Sequence, residues 1–356
     1  MDTKVASITG DEEKDNKIFA EASEILRKGG LVAFPTETVY GLGADALNEG
    51  ASAKIYAAKG RPSDNPLIVH IAELSDMEKL AVDIPELAYK LAGEFWPGPM
   101  TMVLKKAECV PDSITGGLST VAIRMPVHET ARRLIRESGV YIAAPSANTS
   151  GKPSPTKAEH VIGDLSGKID MIICDDTVDV GVESTIVDLS EDCATILRPG
   201  YITLKDIERV AGEARLDPGI MEGVAAGVVP KAPGMKYKHY APNARITIVE
   251  GDNDKVVEYI NKKLSRDGLS GDEALSSRIA VLATEENSKR YNTDNVYVLS
   301  AKADEVKAAK NLYRILRDFD RDKVDIVYSE SFPQTGVGLS VMNRLIKAAG
   351  HTIVRV

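Results

Sequence analysis

The chain has 356 residues, 43% of them hydrophobic and 27% charged, so it can bury a substantial core, and its length suggests two domains. No apolar run approaches the ~20 residues that cross a bilayer, and the first residues do not resemble a signal peptide. We therefore expect a cytoplasmic protein with no membrane partner. Cys109, Cys174 and Cys193 show no close pairing, which favours a reducing compartment and simple core packing.

The net charge of -9 lies mainly in the first part of the chain. Residues 1–240 contain 26 Lys and Arg against 36 Asp and Glu, whereas the remainder contains 18 against 17. A protein that binds long nucleic acid through its phosphates usually has a basic excess. The charge balance therefore weighs against a stable nucleic-acid complex, although it does not exclude a local basic cleft.

Hydrophobic periodicity predicts alternating helices and strands through a first domain, residues 1–211. Helices are predicted at 15–28, 50–59, 85–95 and 129–137, followed by two short helices. Thr156 with Glu159 forms a predicted capping box for the first of these, and Thr203 with Asp206 opens the second. Strands are predicted at 31–34, 66–71, 100–104, 121–124, 140–144, 169–174, 182–188 and 196–198.

Residues 212–243 show no convincing period and are rich in proline and glycine. Such a stretch is usually either an interdomain linker or a functional lid. Its last part, 233–242, combines cations, aromatic rings and prolines, which favours a lid. From 244 to 356 strands and helices alternate again, and this predicts a smaller doubly wound α/β domain with a last helix ending at Gly350.

Several common catalytic devices are missing from the sequence: a Walker A loop, a GxGxxG turn, a nucleophile elbow, an HExxH helix and zinc-spaced cysteines. Polar residues instead sit repeatedly at the ends of apolar strands. Taken singly, each is explained as a turn residue, a core histidine or a surface charge. Together they predict a cavity for a small anionic ligand. These residues are Thr36, Thr38, His70, Arg124, Ser146, Asn148, Ser184 and Arg198.

A group of cations favours a nucleotide polyphosphate as that ligand, because arginine can hold phosphate or carboxylate oxygens with two hydrogen bonds. The group comprises Lys59, Arg61, Arg124, Lys152 and Arg198. No acids have metal-ligand spacing, so we predict no metal site in the protein. Any Mg²⁺ would then be carried by the phosphates of the ligand and would keep its waters.

The ordered motifs resemble the YrdC-like family of threonylcarbamoyl-adenylate synthases in its long, two-domain form. They are FPTETVYGL at 34–42, KGRP at 59–62, NPLIVH at 65–70, WPGP at 96–99, VAIRMP at 121–126, APSAN at 144–148, GVESTI at 181–186, LRPG at 197–200 and APGMKYKHYAP at 232–242. The resemblance implies an α/β fold: an N-terminal twisted mixed sheet with helices around a central cavity, and a smaller C-terminal Rossmann-like parallel domain. It divides the chain into 1–211, a linker or lid at 212–243, and 244–356.

The resemblance also implies an activity, the condensation of L-threonine, bicarbonate and ATP into threonylcarbamoyl-adenylate with release of pyrophosphate. A separate transferase would use this product to modify tRNA. Carried over by position, the threonine site comprises Thr38, His70, Arg124, the Ala144 backbone and Ser184. The ATP site comprises Arg61, Asn65, Thr120, Ser146, Ser154, Arg198 and Tyr240. The catalytic signature pairs are Lys59 with Arg61 and Ser146 with Asn148, and Glu37 is assigned no role.

Two other readings are open. The fold is also associated with a concave surface that accepts double-stranded RNA, but the acidic first domain and the lack of an aromatic stacking platform weigh against an RNA-binding module. A relative that binds nucleotide without performing the synthase reaction is the second alternative. The intact signature pairs, Lys59 with Arg61 and Ser146 with Asn148, weigh against it.

Overall fold

The structure is a computed structural model that describes residues 2–63, 65–175, 178–222, 240–267 and 278–356. The chain divides into two compact units. One comprises Met1–Ser150 with Ser154–Tyr237, and the other comprises Gly151–Pro153 with Lys238–Val356. Gly151 and Pro153 join the second unit because the Ala241 N–H donates to the Gly151 carbonyl (2.9 Å) and Arg317 donates to the Pro153 carbonyl (2.6 Å).

The first unit contains an eleven-stranded sheet. Its strands are β1 (Lys4–Ser7), β2 (Val32–Phe34), β3 (Gly41–Asp45), β4 (Ile68–His70), β5 (Met100–Lys105), β6 (Thr120–Arg124), β7 (Ile142–Ala143), β8 (Met171–Cys174), β9 (Thr185–Asp188), β10 (Ala194–Arg198) and β11 (Ala214–Leu216). Their order is β1-β8-β2-β3-β7-β4-β6-β5-β9-β10-β11. The sheet contains both parallel pairs, such as β4/β6, and antiparallel pairs, such as β5/β6, so it is mixed.

Nine α-helices accompany this sheet within the described residues. They are α1 (Glu12–Arg27), α2 (Glu49–Lys59), α3 (Met77–Leu80), α4 (Glu86–Phe95), α5 (Asp112–Thr115), α6 (Glu129–Ser138), α7 (Ala158–Leu165), α8 (Leu204–Ala211) and α9 (Gly219–Glu222), with a 3₁₀ turn at Leu74–Asp76. Helix α1 illustrates why they form. Asp11 caps its first turn, and Phe19, Ala22 and Leu26 share its buried face. Burying a side chain such as Phe19 stabilises the fold by about 1.5–3 kcal/mol.

The two predicted helix starts near Thr156 and Thr203 have different outcomes. At α8 the Thr203 hydroxyl accepts from the Asp206 N–H and the Asp206 carboxylate accepts from the Thr203 N–H, which is a capping box. The capping box predicted at Thr156 and Glu159 is wrong. Helix α7 begins two residues later, after Lys157, without a side-chain cap, and the Thr156 N–H donates to Nδ1 of His160 at 3.3 Å.

The range predicted as a linker or lid, 212–243, lies only partly within the description. Its first residues contain β11, which pairs in parallel with β10, and α9. Residues 223–239 lie outside the described residues, and these include most of the predicted lid at 233–242. The lid therefore stays a prediction.

The second unit is a five-stranded parallel sheet with helices, as predicted. Its elements are β12 (Arg245–Glu250), α10 (Asn253–Asp267), β13 (Ile279–Thr284), a 3₁₀ turn (Ser288–Arg290), β14 (Val296–Ser300), α11 (Glu305–Arg321), β15 (Ile326–Glu330), α12 (Gly338–Ala348) and β16 (Ile353–Arg355). The order β14-β13-β15-β12-β16 is parallel throughout. Leu312, Leu316 and Phe319 recur at helical spacing along the buried face of α11. With the mixed sheet of the first unit, this confirms the predicted fold class.

Candidate active site

The register of three central strands places the predicted threonine-binding residues side by side. His70, at the end of β4, lies opposite Arg124 at the end of β6, and Arg124 lies opposite Thr101 on β5. Directly opposed residues project from the same face of a sheet. His70, Arg124 and Thr101 therefore form one buried row across three strands, with exposures of 3%, 4% and 0%.

Arg124 is the centre of this row. Its Nη1 donates to Oγ1 of Thr38 at 2.9 Å, its Nη2 donates to Oε1 of Glu37 at 2.5 Å, and its Nε donates to the Gly98 carbonyl at 3.4 Å. A guanidinium has five N–H donors, so these contacts with described residues use three of them. These contacts leave one donor on each terminal nitrogen unused, and an arginine with unused donors can bind a carboxylate.

His70 is electrically neutral in this site. Burial, and next the positive charge of Arg124, lower the pKa of its imidazole to about 3. Nδ1 lies 3.2 Å from the Ile68 carbonyl and 3.3 Å from the Ile142 carbonyl. Since both neighbours are acceptors, we assign the proton to Nδ1, which makes Nε2 a hydrogen-bond acceptor.

Ser184 joins the predicted threonine site to the predicted nucleotide site. Its hydroxyl lies 2.8 Å from Oγ1 of Thr101, in the row described above. Arg198 donates to the Ser184 carbonyl from Nε (3.1 Å) and Nη2 (3.0 Å), and to its hydroxyl from Nη2 (3.1 Å). Arg198 is 5% exposed, and these hydrogen bonds hold its guanidinium against Ser184.

The end of α2 positions one signature pair against the other. Gly60 adopts a left-handed conformation (φ +64°) as the C-cap, between Lys59 and Arg61. The buried Lys59 ammonium donates to the carbonyls of Ser146 and Asn148, the latter at 2.6 Å. Lys59 thus holds the backbone of the Ser146–Asn148 loop in place.

On the side of the site predicted to bind the nucleotide, the two signature pairs and their neighbours are held by hydrogen bonds. The Ser146 hydroxyl donates to Oδ1 of Asn148 at 2.5 Å. Arg61 Nη2 donates to the carbonyls of Asn65 (3.4 Å) and Pro66 (3.2 Å). The Asn65 side chain is buried, and its Oδ1 has no hydrogen-bond partner among the described residues. An unsatisfied buried amide oxygen is the kind of atom that a bound ligand can satisfy.

The remaining predicted residues differ in their distance from this centre. The Ala144 N–H donates to the Ile68 carbonyl at 2.9 Å, next to β4. Ser154 is fully buried and donates to Oε1 of Glu183 at 2.5 Å, one residue before Ser184. Thr120 shares the sheet face of Arg124 but lies four residues away, about 13 Å along β6.

Tyr240 belongs to the second unit. It is buried at φ +66°, its ring lies 5.3 Å from the ring of Tyr313, and the Arg344 guanidinium lies 6.0 Å from it. The contact between Tyr240 and ATP stays a prediction.

Three buried residues in the site were not predicted from the sequence: Glu37, Thr101 and Glu183. Thr101 could have been found from the sheet register, because it lies opposite Arg124. Glu183 could have been suspected as a buried acid beside Ser184. Glu37 lies within the FPTETVYGL motif, but no periodic signal marks it as a site residue.

No group of three or more His, Cys, Asp or Glu side chains in the described ranges could hold a metal ion. None of the helices there combines the length and apolar character of a membrane span.

Comparisons with known proteins agree with the fold. A family model described as "Telomere recombination" matches residues 24–200, and one described as "Threonylcarbamoyl-AMP synthase, C-terminal domain" matches residues 202–350. The threonylcarbamoyl-AMP synthase of Pyrococcus abyssi is 50% identical over 335 residues, which cover 94% of this chain and 95% of that protein. Its counterpart in Bacillus subtilis is 49% identical over 341 residues, covering 95% and 94%.

A solved structure of Pyrococcus abyssi Sua5 complexed with L-threonine is similar to this chain, with a TM-score of 0.90, 46% identity and full coverage of both chains. An α/β fold with this site, and relatives of these names, define an enzyme of the transferase class. The chain belongs to the threonylcarbamoyl-AMP synthase family, in its two-domain form.

Proposed function

We propose that the chain condenses L-threonine, bicarbonate and ATP into threonylcarbamoyl-adenylate and pyrophosphate. The observation that carries the proposal is the buried row of His70, Arg124 and Thr101, joined through Ser184 to Arg198. These contacts support adjoining sites for an amino acid and for a nucleotide on one sheet. The relative that was solved with L-threonine supports the amino-acid site.

The threonine carboxylate binds the two remaining donors of Arg124. Thr38 and Ser184, both fully buried, offer hydroxyls to the ligand: that of Thr38 contacts the Arg124 guanidinium, and that of Ser184 contacts Thr101, which lies opposite Arg124. Neutral His70 offers Nε2 as an acceptor for a threonine N–H or O–H. Because these side chains are already held by other protein groups, little order is lost when the ligand binds.

ATP binds on the side of the two signature pairs. Arg61 and Arg198 offset phosphate charge, and Mg²⁺ arrives with the nucleotide as part of the substrate. Ser146, Asn148 and Asn65 supply polar groups along the nucleotide. Lys59 mainly holds the Ser146–Asn148 loop in position, because its ammonium already binds the Ser146 and Asn148 carbonyls.

The reaction then depends more on placing the reactants correctly than on a general acid and a general base. The threonine amine, after losing a proton, attacks the carbon of bicarbonate or of carbon dioxide derived from it, and either route gives an N-carboxylate. The bicarbonate route breaks a C–O bond and releases water, whereas the carbon dioxide route releases the second amine proton to solvent. A carboxylate oxygen of that group attacks the α-phosphorus of ATP, and pyrophosphate leaves. Well-oriented reactants can account for about 7–11 kcal/mol of such a barrier. The product would pass to a separate transferase that modifies tRNA.

The test is pyrophosphate release from ATP and bicarbonate, with and without L-threonine, followed by mass identification of the adenylate. We expect Arg61→Ala to weaken ATP binding and to spare threonine binding, and Arg124→Ala to do the reverse. Calorimetry without this split would contradict the assignments. Steeply salt-dependent tRNA binding without threonine-dependent pyrophosphate release would favour the RNA-binding alternative.

A further inference from the structure

Glu37 is a buried acid beside Arg124 whose hydrogen bonding is incomplete. Its side chain is 7% exposed, and its Oε1 accepts from Nη2 of Arg124 at 2.5 Å. Within the described part of the chain, its Oε2 is shielded from solvent and has no hydrogen-bond partner. A buried carboxylate oxygen without a donor is costly, and proteins rarely leave one. The atom therefore points to a donor that a ligand brings.

The position of Oε2 indicates which donor this is. Arg124 holds Glu37 on one terminal nitrogen and Thr38 on the other, so Oε2 lies beside the guanidinium assigned to the threonine carboxylate. In an amino acid the carboxylate and the ammonium are attached to the same carbon. A ligand whose carboxylate contacts Arg124 thus places its ammonium next to that guanidinium, within reach of the neighbouring acid.

We propose that Oε2 of Glu37 accepts a hydrogen bond from the α-ammonium group of the bound amino acid. This inference rests on the proposed function. The buried Arg124–Glu37 pair presents a positive and a negative charge side by side, which matches the two charges of a zwitterion. The contact survives the first step of the reaction, because the nitrogen of the N-carboxylate keeps one N–H.

Glu37→Gln tests the contact with little change in shape. The glutamine oxygen can still accept from Arg124, but its NH₂ group then faces the ammonium, so a donor meets a donor. Losing a charge-assisted hydrogen bond of this kind lowers threonine affinity by about 10- to 100-fold. The α-hydroxy analogue of threonine, in which a hydroxyl replaces the amine, carries no ammonium, and its affinity changes by less than about threefold.

Asp15→Asn is the matched control, because it also removes a buried carboxylate charge from the first unit. Asp15 is 5% exposed and accepts from the N–H groups of Thr9 and Gly10, before α1. We expect this variant to keep wild-type affinity for both ligands, even if its free energy of unfolding is lower.

The experiment is titration calorimetry of wild type, Glu37→Gln and Asp15→Asn with L-threonine and with the α-hydroxy analogue. A selective loss of threonine binding in Glu37→Gln supports the inference. Equal losses for both ligands, which a role only in holding Arg124 would produce, overturn it, as does no loss at all.

A replacement variant and the wild-type titration cover the two ways in which this experiment could fail. If Glu37→Gln does not fold, Glu37→Asp replaces it, and an unchanged ratio of the two ligand affinities overturns the inference. Absence of threonine binding by the wild type itself refutes the proposed function instead.

Discussion

Replacing Arg124 with methionine removes the positive half of the buried pair and keeps a side chain of similar length. Glu37 is then left charged and buried at 7% exposure, without the guanidinium that binds its Oε1. Removing one partner of a buried ion pair typically costs about 3–5 kcal/mol. At roughly 2–4 °C per kcal/mol for a unit of this size, we expect the melting temperature to fall by about 6–20 °C.

The double variant Glu37→Gln/Arg124→Met shows whether the cost comes from the isolated charge. It removes both charges, so we expect it to be more stable than Arg124→Met alone, with a coupling energy of about 2–3 kcal/mol. Urea unfolding followed by tryptophan fluorescence is a suitable assay. Trp96 is the one tryptophan in the sequence and is buried in the first unit, so the signal reports the unit that carries the site.

A small loss, below about 1 kcal/mol, in Arg124→Met would refute this reasoning, because the pair would then not be desolvated as its burial indicates. A double variant no more stable than the single one would refute it as well.

Three further predictions concern His70, Lys59 and Gly200. The pKa of His70 is lowered to about 3, below its value of about 6.5 in the unfolded chain, so the folded protein loses stability as the pH falls below 6.5. Between pH 7 and pH 5 this loss is about 2 kcal/mol, and urea unfolding should show it in the wild type but not in His70→Asn. Lys59→Met leaves the Ser146 carbonyl without its ammonium, so we expect a loss of about 1–3 kcal/mol in unfolding free energy together with loss of pyrophosphate release. Gly200→Ala would place a Cβ 2.4 Å from the backbone nitrogen of Thr185, and thermal unfolding should show a loss of about 1–3 kcal/mol.

Local patterns predicted most of the secondary structure because the buried faces repeat along the chain. The helix predicted at 50–59 is observed at Glu49–Lys59, and the strand predicted at 100–104 at Met100–Lys105. The edge strand Lys4–Ser7 was not predicted, since three of its four side chains are exposed and it carries no apolar period. Its formation depends on pairing with Met171–Cys174, which lies far away in the sequence.

The sequence by itself determined the residue types of the site and, through its ordered motifs, the family. It indicated that hydroxyls, an imidazole and two arginines follow apolar strands, among them His70, Arg124 and Arg198. Only the tertiary structure decided which of these side chains meet. Strand register sets His70 opposite Arg124 and Thr101, and no local period encodes register between strands that are distant in the chain.

The structure also decided the state of charges that the sequence can only count. From the sequence alone, Lys59 and Arg124 are equivalent, since both are cations suited to binding phosphate. Folding commits the Lys59 ammonium to two carbonyls and pairs Arg124 with the acid Glu37. A charge buried away from water must find its partners within the fold, so burial and neighbours, which arise only when distant strands assemble, determine the role of each charge.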